Sequence, residues 1–210
     1  MVSILHSGEN IEKINAIIEA ARKRFGLYGL QKTTMREIAS DMNISKGLLY
    51  YYFPDKEDLY KAVIEKEQDE FIHLITEKIK LIDDPVEMLR EYVKVRLDYF
   101  REVLNWNRFN YEEFKGLKPI MSNVWKQFHA RETEIIRDML LKGKEKGTFK
   151  IDNTDETAVL FLDILKGLRA TLMSKKEFFY LEEVEYEMLV KKINMFTTIF
   201  INGLRYKSDS

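Results

Sequence analysis

The sequence predicts an all-α protein, with a small N-terminal helix-turn-helix head of three helices and a larger helical body, about nine helices in all. Three observations lead there. Only three prolines and nine glycines are spread over 210 residues, too few for the many turns of an all-β chain. Good helix formers (Glu, Lys, Leu, Ile and Met) are abundant. Apolar residues recur at intervals of three and four along most of the chain. The length suits one large or two modest units with their own cores, and the natural division is 1–54 for the head and 55–210 for the body. Cysteine is absent, which excludes disulfides, zinc-finger sites and thiol catalysis.

Residues 1–9 read as a mobile arm. From Asn10 the first helix carries Ile11, Ile14, Ile17, Ile18, Ala21 and Phe25 on one side, with Gly29 as its stop. Its Arg22-Lys23-Arg24 run is either a solvated face or a backbone contact. Thr34 and Glu37 then form a T-x-x-E capping box at the start of a second helix, whose apolar face is Met35, Ile38, Ala39 and Met42. Asn43 stands where the chain must reverse, and Asn tolerates the left-handed conformation better than any residue but glycine. Ser45 caps a third helix with Leu49 and Phe53 four apart; Pro54 ends it, and Asp55 caps the next. That fourth helix has no glycine or proline until about residue 82, about seven turns, and reads as the one rigid link between head and body. Asp83-Asp84-Pro85 ends it and starts a fifth helix, to about Leu104. An aromatic-rich break bracketed by Gly116 and Pro119 follows. A long helix is expected from Pro119 to about Lys146, another capped by Thr154 or Asp155, and a last one over 181–204.

A helix, a turn of a few residues and a second helix is the geometry that lays the second helix in the DNA major groove. The residues of that helix suit the task. Lys46 can reach a phosphate or a guanine edge, and Gly47 allows close approach to a sugar-phosphate strand. Tyr50, Tyr51 and Tyr52 point at three successive angles, so at least one faces outward. Lys56 adds charge to a helix N-terminus, where anions bind. Against this, the chain as a whole has net charge −1. Residues 1–60 are also balanced, eight bases to eight acids. The net charge argues against a general nucleic-acid coating protein, and the expected affinity is modest, salt-sensitive and dependent on dimerisation.

The stretch 33–59 resembles the DNA-binding domain of the tetracycline-repressor (TetR/AcrR) family of bacterial one-component regulators. The resemblance lies in Thr34, Ile38-Ala39, Ile44-Ser45-Lys46-Gly47, Leu49-Tyr50, Phe53, Lys56 and Leu59, with Ile17, Ala20-Ala21, Phe25, Gly29 and Thr33 upstream. It covers about the first quarter of the chain. Met42-Asn43 replaces the usual Ala-Gly, and Pro54 a small or charged residue. The resemblance implies that Thr34, Ser45, Tyr50, Tyr51 and Lys56 hold phosphates, while Lys46, Gly47 and Leu48 face base edges. It also implies a repressor that binds a palindromic double-stranded operator as a homodimer and is released by a small hydrophobic or aromatic effector.

The last two helices fit that dimer. Residues 158–165 are apolar on nearly every side except at Asp163, and Gly167 allows a close helix approach. Met188, Leu189, Ile193, Phe196, Ile199, Phe200 and Leu204 form a broad stripe on the final helix. Paired with their symmetry mates, two such helices make a four-helix interface; as ordinary core they would be covered within one chain. For the effector, Tyr92, Phe100, Trp106, Phe109, Phe114, Trp125, Phe128, His129 and Asp163 are the candidate pocket residues, with Arg169 a further polar anchor. Most of these aromatics would serve equally as core. A rival reading is a DNA-binding dimer without a small ligand, controlled by a protein partner or acting architecturally. A second rival, an enzyme that merely shares the head-like sequence, has little support. The histidines (His6, His73, His129) are scattered, and there is no H-E-x-x-H pair, glycine-rich phosphate loop or G-x-S-x-G elbow. No cofactor, metal or catalytic residue is expected. With no signal peptide and no membrane-length apolar run, a soluble cytoplasmic protein is expected, without a membrane partner.

Overall fold

The computed structural model describes residues 8–106, 111–173 and 181–205, and of residues 103–106 and 111–115 the backbone alone. Among these residues there are eight helices and no strand. They are α1 (Gly8–Lys32), α2 (Met35–Asp41), α3 (Lys46–Tyr52), α4 (Lys56–Lys80), α5 (Pro85–Trp106), α6 (Tyr111–Glu145), α7 (Thr154–Met173) and α8 (Glu183–Leu204). Helix α1 begins two residues before the expected start, and it breaks at Gly29, where φ is 78° and ψ 162°. The remainder of the expected arm, residues 1–7, lies outside the described residues.

Two apolar clusters organise the molecule. In the head, Ile17, Ala21 and Phe25 of α1 meet Ile38 and Ala39 of α2, Leu49 of α3, and Leu59 and Val63 of α4. In the body, Phe71, Ile75 and Ile79 of α4 meet α5, α6, α7 and α8. Helix α4 therefore serves the head with its first half and the body with its second.

Helix α6 does the same, and here the sequence reading needs correcting. The helix does not start at Pro119; it runs from Tyr111 through Gly116 and Pro119 without interruption. An interior proline removes one backbone hydrogen bond and crowds the preceding turn, at about 3 kcal/mol. Leu117, Met121 and Val124 are buried in the head cluster on either side of it, and each contributes roughly 1.5–3 kcal/mol by burial. That outweighs the proline. Ile136, Met139 and Leu140 of the same helix lie in the body. The fourth helix is thus not the only link between the two parts.

Helix α7 is also capped differently from the expectation. Asn153, rather than Thr154 or Asp155, accepts the Glu156 N–H at 3.2 Å. At the far end of the body Gly143 lies against the ring of fully buried Phe149, where any Cβ would overlap it. Lys150 N–H donates to the Leu204 carbonyl at 2.7 Å and ties the end of α8 to the turn after α6.

Within the Arg22-Lys23-Arg24 run Lys23 is exposed, as a solvated face would have it, whereas Arg22 and Arg24 are paired within the chain. Arg22 pairs with Glu67 (3.3 Å) and Glu70 (3.1 Å) of α4, and Arg24 with Asp41 (2.6 Å) and Glu37 (3.1 Å) of α2. Glu67 is buried, with one carboxylate oxygen lacking a hydrogen-bond partner. Burial pushes its carboxyl up to about 7 against the pull of Arg22. A carboxyl raised in the folded state binds protons that the unfolded chain, near pKa 4.3, has already released. Its stabilising contribution is therefore complete below about pH 4 and is lost as the pH rises toward 7. Glu67→Gln is expected to abolish this loss, raising stability over wild type at pH 8 by up to ~3 kcal/mol and changing it little at pH 4.5. Urea denaturation at the two pH values checks it.

Candidate nucleic-acid interface

Helix α3 is held from beneath and left open above. Leu49 is 0 % exposed and Phe53 is buried, both in the head cluster. The turn before the helix contains Asn43 at φ 54°, the left-handed conformation expected of it. Ser45 caps α3, its hydroxyl accepting the Leu48 N–H at 3.1 Å. On the preceding helix the Thr34 hydroxyl accepts the Glu37 N–H at 3.3 Å, while the Glu37 carboxylate accepts the Thr34 N–H at 2.9 Å. The expected capping box is complete. Asp55 caps α4 by accepting the Asp58 N–H at 2.7 Å.

Above this anchor, Thr34, Ser45, Lys46 and Gly47 are exposed and Leu48 is half-buried. Tyr50 is 40 % and Tyr51 66 % exposed. Tyr52 turns inward, and its hydroxyl donates to Asn10 of α1 at 3.1 Å. The Lys46 ammonium lies 5.3 Å from the Tyr50 ring centroid, so the two side chains form one cationic and aromatic surface. Seven of the eight sequence-predicted residues are thus exposed or half-buried, at the N cap of α2 (Thr34), at the N cap of α3 (Ser45) and on α3 itself. Lys56 has a structural engagement: its ammonium donates to the carbonyls of Leu30 (2.9 Å) and Thr33 (3.0 Å), closing the end of α1.

The charge balance of the head reads differently once these contacts are known. Glu37 and Asp41 are spent on Arg24, and Glu19 lies near Arg22 and against Lys66. Hydrogen bonds from Thr34, with Arg24 beside it, hold the Glu37 carboxyl below its usual range. These acids are tied to internal partners, so the exposed Lys46 is not cancelled by an adjacent carboxylate of α3, whose first turn has none.

The predicted pocket residues are divided between the two clusters: Tyr92, Phe100 and Phe128 lie in or against the body cluster. Trp125 packs on the head cluster. Phe128 stacks edge-on with Phe71 at 5.7 Å. Tyr92 is fully buried, and its hydroxyl donates to Glu132 at 2.8 Å. His129 lies between Lys166, at 2.6 Å, and exposed Asp163, at 3.9 Å. Burial and the neighbouring Lys166 lower the His129 pKa. Phe109 and the side chains of Trp106 and Phe114 lie outside the described residues. Phe100 does line a cleft between α5, α7 and α8, with Val93, Leu97, Leu165, Leu189 and Ile193 as its apolar walls and Arg96 and Arg169 as its charged groups. The cleft is nearly closed by these side chains, with a free volume of about 10 Å³.

Sequence reading missed Arg96 and Glu132. Arg96 donates to Glu132 at 2.6 Å in the core of the body, where Tyr92 shares the same carboxylate oxygen. Burial opposes the Arg96 charge, yet Glu132 and Tyr92 hold its pKa above the ordinary value. Burial drives the Tyr92 hydroxyl well up. Thirty-six residues separate the pair, and each sits among charged neighbours that suggest a solvated helix face.

Helices α7 and α8 each show a second, uncovered apolar face. Leu189 and Ile193 are buried in the body, whereas Val184, Met188, Met195 (62 %) and Ile199 (63 %) are exposed. Val159 and Leu160 of α7 are exposed as well, and nothing packs within 4 Å of a Cβ at Gly167. Among the described residues no helix is long and apolar enough to cross a membrane.

Residues 17–63 match the model of the family described as bacterial regulatory proteins, tetR family. The chain is 27 % identical over 157 residues to the HTH-type transcriptional regulator UidR of Escherichia coli (strain K12), covering 74 % of this chain and 79 % of UidR. It is 25 % identical over 167 residues to the HTH-type transcriptional repressor Rv1474c of Mycobacterium tuberculosis (77 % and 82 % covered). The crystal structure of a transcriptional regulator from Cytophaga hutchinsonii superposes with a TM-score of 0.83 at 36 % identity, covering 92 % of this chain and 99 % of that one.

Proposed function

The chain belongs to the tetR family of bacterial regulatory proteins, and we propose that it is a repressor that binds a palindromic operator as a homodimer and lets go when a small hydrophobic effector enters its body. The observation that carries the reading is the outer edge of α3. A helix with a fully buried Leu49 on one side presents Ser45, Lys46, Gly47, Tyr50 and Tyr51 on the other. In this reading Lys46, Gly47 and Leu48 meet base edges, while Thr34, Ser45, Tyr50 and Tyr51 hold phosphates. Lys56 acts by fixing the end of α1 against α4, with one ammonium donor left for a phosphate. The protein works in the cytoplasm, where the operator is.

Dimerisation through the exposed faces of α7 and α8 places the two α3 helices in successive major grooves, about 34–36 Å apart or a multiple of that. An effector that parts α5, α7 and α8 moves the body ends of α4 and α6, and hence the head. Coupling of ~1–3 kcal/mol is ordinary for such a shift. The alternative, a DNA-binding dimer governed by a protein partner or acting architecturally, is supported by the tight packing of the cleft. The effector reading is preferred because that same cleft is edged by Arg169, whose guanidinium has no carboxylate within ion-pair range among the described residues and rests on the Phe100 ring, a costly feature for a body that only holds the fold together.

Lys46→Ala combined with Tyr50→Ala is expected to weaken binding to operator fragments selected from the source genome by at least ~2 kcal/mol, with helix content unchanged, and to lower the salt slope by about one. Fluorescence anisotropy across a salt series measures both, and unaltered affinity refutes the site. Met195→Glu with Ile199→Glu is expected to turn a dimer into a folded monomer in analytical ultracentrifugation. A variant that remains dimeric rules out the α7/α8 interface.

A further inference from the structure

We propose that the cleft between α5, α7 and α8 binds a hydrophobic carboxylate, an acyl or aryl chain ending in one anionic group that pairs with Arg169. The inference rests on the effector reading above and specifies the chemistry of the effector.

The charges around the cleft do not cancel. Arg96 is committed to Glu132, which also takes the Tyr92 hydroxyl on the same oxygen. Lys166, half-buried on the same turn of α7 as Arg169, faces His129 at 2.6 Å. Arg169 has no carboxylate within ion-pair range among the described residues; its guanidinium instead lies 4.5 Å over the Phe100 ring. Burial, with Arg96 nearby, pushes the Arg169 pKa down to about 10, so it remains a cation at neutral pH without a full counter-charge. A cation in apolar surroundings is costly unless it is paired.

The rest of the wall selects the remainder of the ligand. Leu165, Leu189, Ile193 and Phe100 offer no hydrogen-bonding side chains, so the body of the ligand must be apolar. A neutral ligand would bury Arg169 further without compensation, and a cationic one would add repulsion. A carboxylate answers the guanidinium fork with two parallel hydrogen bonds. A phosphate monoester brings up to a second negative charge and a wider polar head, against apolar walls and near buried Glu132. The cleft is nearly filled by its own side chains in this structure, so a short or medium chain enters only as those side chains part.

Isothermal titration of the full-length protein tests the proposal. Octanoate and phenylbutyrate serve as acyl and aryl probes, octanol as the uncharged chain and octylammonium as the opposite charge. Wild type is expected to bind at least one carboxylate roughly ten-fold or more tightly than octanol, the least that one charge-assisted pair provides. It should bind octylammonium more weakly still. Arg169→Met should lose the preference for carboxylate over octanol, and Arg169→Lys should keep part of it, with circular dichroism confirming that both are folded. Failure of both carboxylates to bind, equal affinity for octanoate and octanol, or an undiminished preference in Arg169→Met each overturns the assignment. Operator release is measured separately. Carboxylate binding that leaves the DNA complex intact defeats the effector reading and spares the site. Release by a compound whose binding ignores Arg169 defeats the site and spares the regulator.

Discussion

The burial of two separate apolar faces on the same pair of helices is the constraint from which the other features follow. Helix α4 gives Leu59, Tyr60, Val63 and Ile64 to the head and Phe71, Ile75 and Ile79 to the body. Helix α6 gives Leu117, Met121 and Val124 to the first and Ile136, Met139 and Leu140 to the second. Close-packed interiors do not deform smoothly. A displacement at the body end of either helix must therefore be absorbed in the head as a rigid shift, or be resisted. Arg22, bridging α1 to Glu67 and Glu70 of α4, reinforces the junction.

The outer surface of α3 is a consequence of how its inner side is spent. Seven residues are too few to be helical alone, so Ser45, Leu49 and Phe53 have to hold them against α2 and the start of α4. What remains points away from the core, and it contains a lysine, a glycine and two tyrosines. The head has this edge without being basic overall, and Glu37 and Asp41 of α2 are paired with Arg24 of α1.

Local signals in the sequence carried the head almost entirely. Thr34 with Glu37, Asn43, Ser45 and Asp55 each act within three or four residues, and each stands in the structure where its chemistry placed it. Long-range pairing was not legible. Proline at 119 speaks for a helix start, and only the burial of Leu117, Met121 and Val124 against a head much earlier in the chain overrules it. Arg96 and Glu132 look like solvated charges until α5 and α6 are seen to bury them together. Lys56 looks like a free cation until the carbonyls of Leu30 and Thr33 are seen beneath it. The final helix read as one broad apolar stripe, and it proves to have two faces: Leu189 and Ile193 turned into the body, Met195 and Ile199 turned out of it. The aromatic residues were the least informative, since Tyr92 and Phe128 are taken up by the body cluster and Trp125 by the head cluster.

Native-state hydrogen exchange across a low-denaturant series tests the shared-core claim most directly, through the amides of Ile38 and Leu49 in the head and of Ile75 and Ile136 in the body. If α4 and α6 bind the two cores into one cooperative unit, all four amides exchange through an opening of common free energy and common denaturant dependence. Head amides that open with a much smaller free energy and denaturant slope, while the body stays closed, would contradict it.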